Sequence, residues 1–525
     1  MPSSYQQAEK NAVRERILPA AIVALTDDRR NSSLVREDEL IPTVEFFLTA
    51  LKRATRSDAY NNETLSELAS WLEYHSSRVG TESPQSLRVL YLCGPEPLND
   101  LNVMTRAGVN PHNVWAVTGN KDHSRAVAAC SEAGVPLKIH RGSLAEFFDV
   151  FNETFDIIYF DACGPIAGSK PNTLDPIISI LDRQRLNSPG VLITNFCEPP
   201  DDGDARDRYV DLVTAFFAPR YNDLPPIVHE AGNLDPQEFQ HEYRLLRSFA
   251  AKNLEPLYSH FITRFITDLG MNLVPNCRAL SMGSLFRSYL MGEKEFNEVR
   301  GQADDSTMDL SRGKLPGELL LSPSSYPIPL FVRILEELRK DDPVLNRLSK
   351  PLTHQKRSLR DLVKASALLD HVIEGHWDML SDAMKLAVAT SWFDRNAGVT
   401  CDSPLPNLIV NSLLGIYGRP WFANTRSCDR VSYIAKKRRM YCDLFVLDQC
   451  RSYFDWFPTV HASPVRFESI PFQIVARCVL DRIERHDFRA EAQPFRGLLL
   501  SATESTRSRS GTTSRNASTW RDGDM

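Results

Sequence analysis

Five short apolar runs lie between residues 86 and 200: Leu87 to Cys93, Val114 to Thr118, Leu137 to His140, Phe155 to Asp161 and Val191 to Phe196. Each is nearly continuous rather than alternating, the pattern of a strand buried on both faces. The stretches between them, at 97–108, 122–133, 144–150 and 173–187, suit helices. Strands separated by helices predict an α/β unit with a doubly wound parallel sheet and right-handed crossovers. Ahead of this unit, helical spacing recurs over Leu40 to Lys52 and Leu65 to Leu72, so residues 1–85 read as a helical preface. The predicted units are 1–85 helical, 86–220 α/β, 221–300 a helical extension, 301–327 a polar linker or long loop, 328–500 a large C-terminal helical region, and 501–525 a Ser/Thr/Arg-rich tail. The tail is almost free of apolar residues until Trp520, so it is expected to be disordered.

Composition narrows the class. The chain has 525 residues, 42% hydrophobic and 24% charged, which is enough to bury a core without disulfides. Net charge is −6, so no global basic field draws the chain to nucleic acid. No apolar run reaches membrane-spanning length, and Met1 to Lys10 is polar, so neither a membrane span nor a secretory signal is expected. The ten cysteines are scattered with no CxxC pair, which reads as reduced, buried thiols in a cytoplasmic protein.

Ligands of such sheets sit beyond the carboxyl ends of the strands, near the switch in strand order. The first run leads into Gly94-Pro95-Glu96-Pro97. Gly94 allows a sharp turn and close backbone approach, while Pro97 suits the start of a helix. The loop lacks the glycines of GxGxxG, which disfavours a dinucleotide, and Glu96 repels phosphate but accepts hydrogen bonds from an ammonium or hydroxyl. The second run ends at Thr118, followed by Gly119, Asn120, Lys121 and Asp122. Asn120 both donates and accepts, so it suits either a ribose diol or a turn. After the third run, Ser143 and Glu146 have the spacing of a capping box, with Leu144 between them; an adenine edge is the sharper alternative for this loop. The fourth run ends at Asp161, ahead of Ala162-Cys163-Gly164-Pro165. A carboxylate at the end of a buried strand is costly unless paired or used. Asn195, Cys197 and Glu198, around the end of the fifth run, form a candidate far rim.

The segments VLYLCGPEP, VWAVTGNKD, GSLAEFF and FDIIYFDACGP, in this order and spacing, resemble the four motifs of the Rossmann-like class I methyltransferases that use S-adenosylmethionine. The resemblance covers about a quarter of the chain and lies more in order than in identity. It implies that the loop Gly94, Pro95 and Glu96 holds the methionine end of the cofactor. It further implies that Asn120 lies near the ribose, Ser143 and Leu144 near the adenine, and Asp161 at the junction of cofactor and acceptor. Motif one has a single glycine, and the acid that normally ends the second strand is replaced. The two antiparallel strands that close the family's sheet are not obvious after residue 200.

Other chemistries find little support. His371 and His376 are five apart, on different helix faces, and there is no HExxH, GxSxG or P-loop. No metal site is expected. Lys436, Lys437, Arg438 and Arg439, flanked by Tyr433 and Tyr441, form one basic cluster. It suits either a solvated helix face or contact with single-stranded nucleic acid. Three functions follow: a methyltransferase with an unidentified acceptor, nucleic acid or another macromolecule among the candidates; a binding or scaffold protein that keeps the fold without transfer; and an unrelated α/β enzyme for a nucleotide-like ligand.

Overall fold

The apolar runs become strands almost where the pattern puts them. In the computed structural model the described residues are chiefly 8–162, 164–166, 173–201, 203–217, 236–280, 405–435, 437–457, 469–484 and 521–524. The linker 301–327, Cys163, His371, His376, Lys436 and the tail up to Trp520 lie outside them. The N-terminal region forms α1 (Ala8–Leu25), α2 (Arg29–Ser32), α3 (Glu37–Thr55) and α4 (Asn61–Val79). The strands are β1 (Val89–Leu92), β2 (Val114–Thr118), β3 (Lys138–Arg141), β4 (Phe155–Asp161) and β5 (Leu186–Cys197). Between them run α5 (Leu98–Arg106), α6 (His123–Glu132), α7 (Leu144–Val150) and α8 (Leu174–Asp182). Next come α9 (Gly203–Phe217), α10 (Pro236–Lys252), α11 (Leu254–Asp268) and α12 (Val274–Ala279).

The expectation of helix over 328–500 is corrected in part. After α13 (Leu405–Gly418), the chain forms β6 (Phe422–Ala423), β7 (Asp429–Ala435) and β8 (Arg438–Asp448), then α14 (Arg451–Phe454) and α15 (Ile470–Glu484). Phe445 and Leu447, within the region expected to be helical, are strand residues. The eight central residues of β8 are all buried, so its sequence is an apolar run with no strand period to give it away.

These late strands complete the early sheet. The order is β3-β2-β1-β4-β5-β8-β7, with β6 beside β8 and β9 (Arg521–Asp524) parallel to β7. Pairings among β1 to β5 are parallel, whereas β8 is antiparallel to both β5 and β7. Order reverses between β1 and β4, which opens a crevice at their carboxyl ends.

Both faces of the sheet are covered. On one, Val13, Ile17 and Ala21 of α1 and Leu101 and Met104 of α5 pack on Tyr91, Tyr159, Ile193 and Val446. On the other, Ile178 of α8, Phe216 of α9 and Phe261 of α11 pack on Leu90, Ile158 and Phe445. A side layer joins Phe47 of α3, Trp71 of α4 and Val475 of α15. Burying each such side chain contributes about 1.5–3 kcal/mol, so the sheet face fixes α1 along most of its length. Among the described residues, no helix is long and apolar enough to cross a membrane. The eight described cysteines are free and buried.

Candidate functional site

The register of β1 on β4 pairs Tyr91 with Tyr159. That is the last pair: beyond it β1 leads through Leu92 and Cys93 into the Gly94 loop, and β4 ends at Asp161. The first-strand loop and the fourth-strand acid therefore follow from adjacent strands at the switch point. Gly94 is not among the described glycines with positive φ, which are Gly80, Gly108, Gly134 and Gly142. Its turn needs no left-handed backbone, leaving close approach as the use of a missing side chain. Pro95 is buried and Glu96 half-buried. Glu96 Oε2 accepts from Asn99 Nδ2 at 3.0 Å, and Tyr91 donates its hydroxyl to the Pro97 carbonyl at 2.8 Å. Pro97 is the N-cap of α5 rather than its first residue.

Asp161 is the centre of a polar network assembled from four elements. Lys10 of α1 reaches its Oδ2 at 2.6 Å, and Asn195 of β5 donates to its Oδ1 at 2.8 Å. The same Asn195 amide donates to the Tyr433 hydroxyl of β7 at 2.7 Å. Side-chain exposure is 11% for Lys10 and 10% for Asp161. Burial pushes the Asp161 carboxyl up, but the Lys10 charge and hydrogen bond, then Asn195 and Arg14, hold it below its ordinary value. One helical turn on, Arg14 Nε meets Asp100 Oδ1 of α5 at 2.7 Å, with exposures of 5% and 6%. Burial works against the Arg14 charge, yet Asp100 and the other nearby acidic groups keep it above the usual guanidinium range. Two acids at the crevice are thus each met by a cation from the N-terminal helix.

Sequence reading missed Lys10 and Arg14. A signal existed: with Val13, Ile17 and Ala21 they repeat at helical spacing, so both cations sit on the apolar stripe of α1. A cation on a buried face needs a buried acid. Which acid it meets is set by a contact 151 residues away in the case of Lys10.

The other end of the crevice is different. Thr118 is buried, and Asn120 is exposed with its Oδ1 accepting from Arg141 Nε at 2.8 Å. Ser143 and Glu146 form the capping box that their spacing predicts. Gly142, at φ 145°, supplies the left-handed entry to this cap. Leu144 is buried in the core with Val117 and Phe147. Gly94 and Glu96 follow β1 and Asp161 ends the adjacent β4, whereas Asn120, Ser143 and Leu144 have local structural partners.

The basic cluster lies on a hairpin, not a helix face. Antiparallel β8 carries it back to the carboxyl end of β5, where Cys197 pairs with Met440. Lys437 and Arg438 are exposed and have no carboxylate partner among the described residues, while Arg439 pairs with Glu255 at 2.5 Å. Glu198 accepts from the Arg439 backbone N–H at 3.0 Å, which ties the predicted far rim to this hairpin. Tyr433 and Tyr441 are buried, at 2% and 4% exposure, so neither offers a ring for base stacking.

No family model matches the chain, and no curated protein matches it. Among solved structures, the chain is similar to PKMT2 from Rickettsia typhi, at 15% identity over 39% of this chain and 42% of that one, with a TM-score of 0.21. It is also similar to the SAH-bound Podospora anserina methyltransferase PaMTH1, at 15% identity over 49% and 91% with a TM-score of 0.18. A third is a putative caffeoyl-CoA O-methyltransferase from Staphylococcus aureus, at 12% identity over 40% and 88% with a TM-score of 0.17. The chain thus spans less than half the length of the Rickettsia protein. What this chain does has to be argued from its own sheet and crevice.

Proposed function

We propose that the chain is an S-adenosylmethionine-dependent methyltransferase with its cofactor across the carboxyl ends of β1 and β4. One observation carries the reading: the strand order reverses between β1, which leads into the Gly94 loop, and β4, which ends at Asp161, and antiparallel β8 continues the sheet beyond β5. The closing pair, absent directly after residue 200, is supplied by residues 429–448.

The donor set fits the amino-acid end of the cofactor. Glu96 and Asp161 suit an ammonium and a sulfonium, and Gly94 admits the chain closely. The ribose end fits less well, because Asn120 is committed to Arg141 and no acid ends β2. When bound, S-adenosylmethionine supplies a methyl group on a positive sulfur, so positioning of the acceptor matters more than a strong base. Asp161 accepts a hydrogen bond from the acceptor and orients it. The apolar stripe of α1 excludes water from the sheet side of the crevice.

A second reading has its own support. The pairs Lys10–Asp161 and Arg14–Asp100 satisfy the crevice acids within the chain, as in a protein that keeps the fold and binds without transfer. Isothermal titration of the full chain with S-adenosylmethionine and with its demethylated product tests both. Micromolar binding of each, with methyl transfer to an acceptor, is the expected result. Binding without transfer favours the second reading. No heat and no melting shift at millimolar cofactor would falsify the first, since bound ligand must raise stability by RT ln(1 + [L]/Kd).

A further inference from the structure

We propose that Lys10 is a positioning residue for Asp161, so that α1 is a working wall of the site and Asp161 serves as a fixed anion that orients the acceptor. This deepens the methyltransferase reading and rests on it for the acceptor. The geometry stands by itself. Lys10 Nζ takes Oδ2 at 2.6 Å and Asn195 Nδ2 takes Oδ1 at 2.8 Å, so the two carboxylate oxygens are held by separate strong donors. Asn195 is anchored by Tyr433 in turn. Neither anchor can drift. Lys10 rides on a helix fixed by Val13, Ile17 and Ala21 against the sheet, and Asn195 and Tyr433 stand on β5 and β7, the two strands that flank β8 in that sheet. Rotation of the carboxylate would break two charge-assisted hydrogen bonds at once.

The charged and titratable groups facing Asp161 come from every element around it. They are Lys10 and Arg14 of α1, Asp100 of α5, Tyr159 of β4, Tyr433 of β7 and Cys442 of β8. Two are cations and one is an acid, and Asp100 is itself paired with Arg14. Removing Lys10 therefore takes away the strongest cationic influence among these groups on Asp161 and the hydrogen bond to its Oδ2. A buried carboxylate that loses its nearest cation takes up a proton more readily, so it loses its role as a fixed anion at a higher pH.

The test uses the full chain and the variants Lys10→Met, Lys10→Gln and Lys10→Arg. Transfer is followed from pH 4 to 9 with S-adenosylmethionine and an active acceptor. In Lys10→Met and Lys10→Gln the acid limb of kcat moves up by about one pH unit or more, and kcat falls about tenfold or more. KM for the cofactor changes less than kcat, and Lys10→Arg restores the limb. An acid limb that stays in place in a variant that melts like the wild type overturns the proposal and leaves Lys10 purely structural.

Carbon-13 labelling of the aspartate carboxyls, with Asp161→Asn for assignment, gives a readout that needs no turnover. Asp161 titrates at higher pH in Lys10→Gln than in wild type if the proposal holds; coincident titration overturns it. An upward shift in a protein that never binds S-adenosylmethionine keeps the positioning role and removes the methyltransferase reading.

Discussion

The two ends of the crevice are built on different physical terms. At the β1 and β4 end, Asp100 and Asp161 are buried and ionic, and their cations come from a helix near the start of the chain. At the β2 and β3 end, Asn120 and Ser143 are exposed and satisfied by residues within about one supersecondary unit. A buried charge is retained only where a partner is held rigidly against it, and such partners cost several kcal/mol to remove. An exposed cap or turn residue contributes about 1 kcal/mol or less. The difference teaches where the fold is least tolerant of change, and that is the end carrying Asp161.

The sharpest way to break the contrast is Arg14→Leu. It strands Asp100, 4% exposed, without its guanidinium, and the expected loss is about 3–5 kcal/mol in urea unfolding. A loss below about 1 kcal/mol would mean that Asp100 is simply protonated in place. The next effect is on pH. Because the Asp161 value is held below that of the unfolded chain, its contribution is fully present above the unfolded value of about 3.9 and is lost as pH falls through the lower folded value. Wild-type melting temperature should therefore drop below about pH 4. In Lys10→Gln the folded value rises, because the Lys10 charge and hydrogen bond are gone while burial stays, so the Asp161 contribution above about pH 4 shrinks. Melting curves from pH 3 to 7 separate the two cases. The smallest effect belongs to the other end: Ser143→Ala should cost about 1 kcal/mol through the lost cap of α7 and leave cofactor affinity within about twofold. A large loss of affinity in that variant would draw Ser143 into the site and blur the comparison.

Much of the α/β unit was legible in advance. The runs at Val114–Thr118 and Phe155–Asp161 match their strands end to end, because buried parallel strands need continuous apolar residues and the breaks between them carry turn and cap chemistry. Ser143 and Glu146 were readable for a similar reason: a capping box is a contact at fixed short spacing. The antiparallel pair β7 and β8 was not. Its apolar stretch has no distinguishing period, and its partner β5 ends more than 200 residues earlier. The basic residues at 437–439 were visible as a cluster, but only that pairing places them at the carboxyl end of β5.

The sequence by itself determined which segments become parallel strands, where they turn, that Gly94 lies in the loop after one of them and that Asp161 ends another. Those features follow from local periodicity and from the backbone preferences of glycine, proline and capping residues. Only the tertiary structure decided that Asp161 faces Lys10, that Arg14 faces Asp100, and that Asn195 and Tyr433 complete the network. Pairing of buried charges across 86 and 151 residues, and of a buried amide with a hydroxyl across 238, is chosen by which surfaces pack, and nothing local to either partner encodes it.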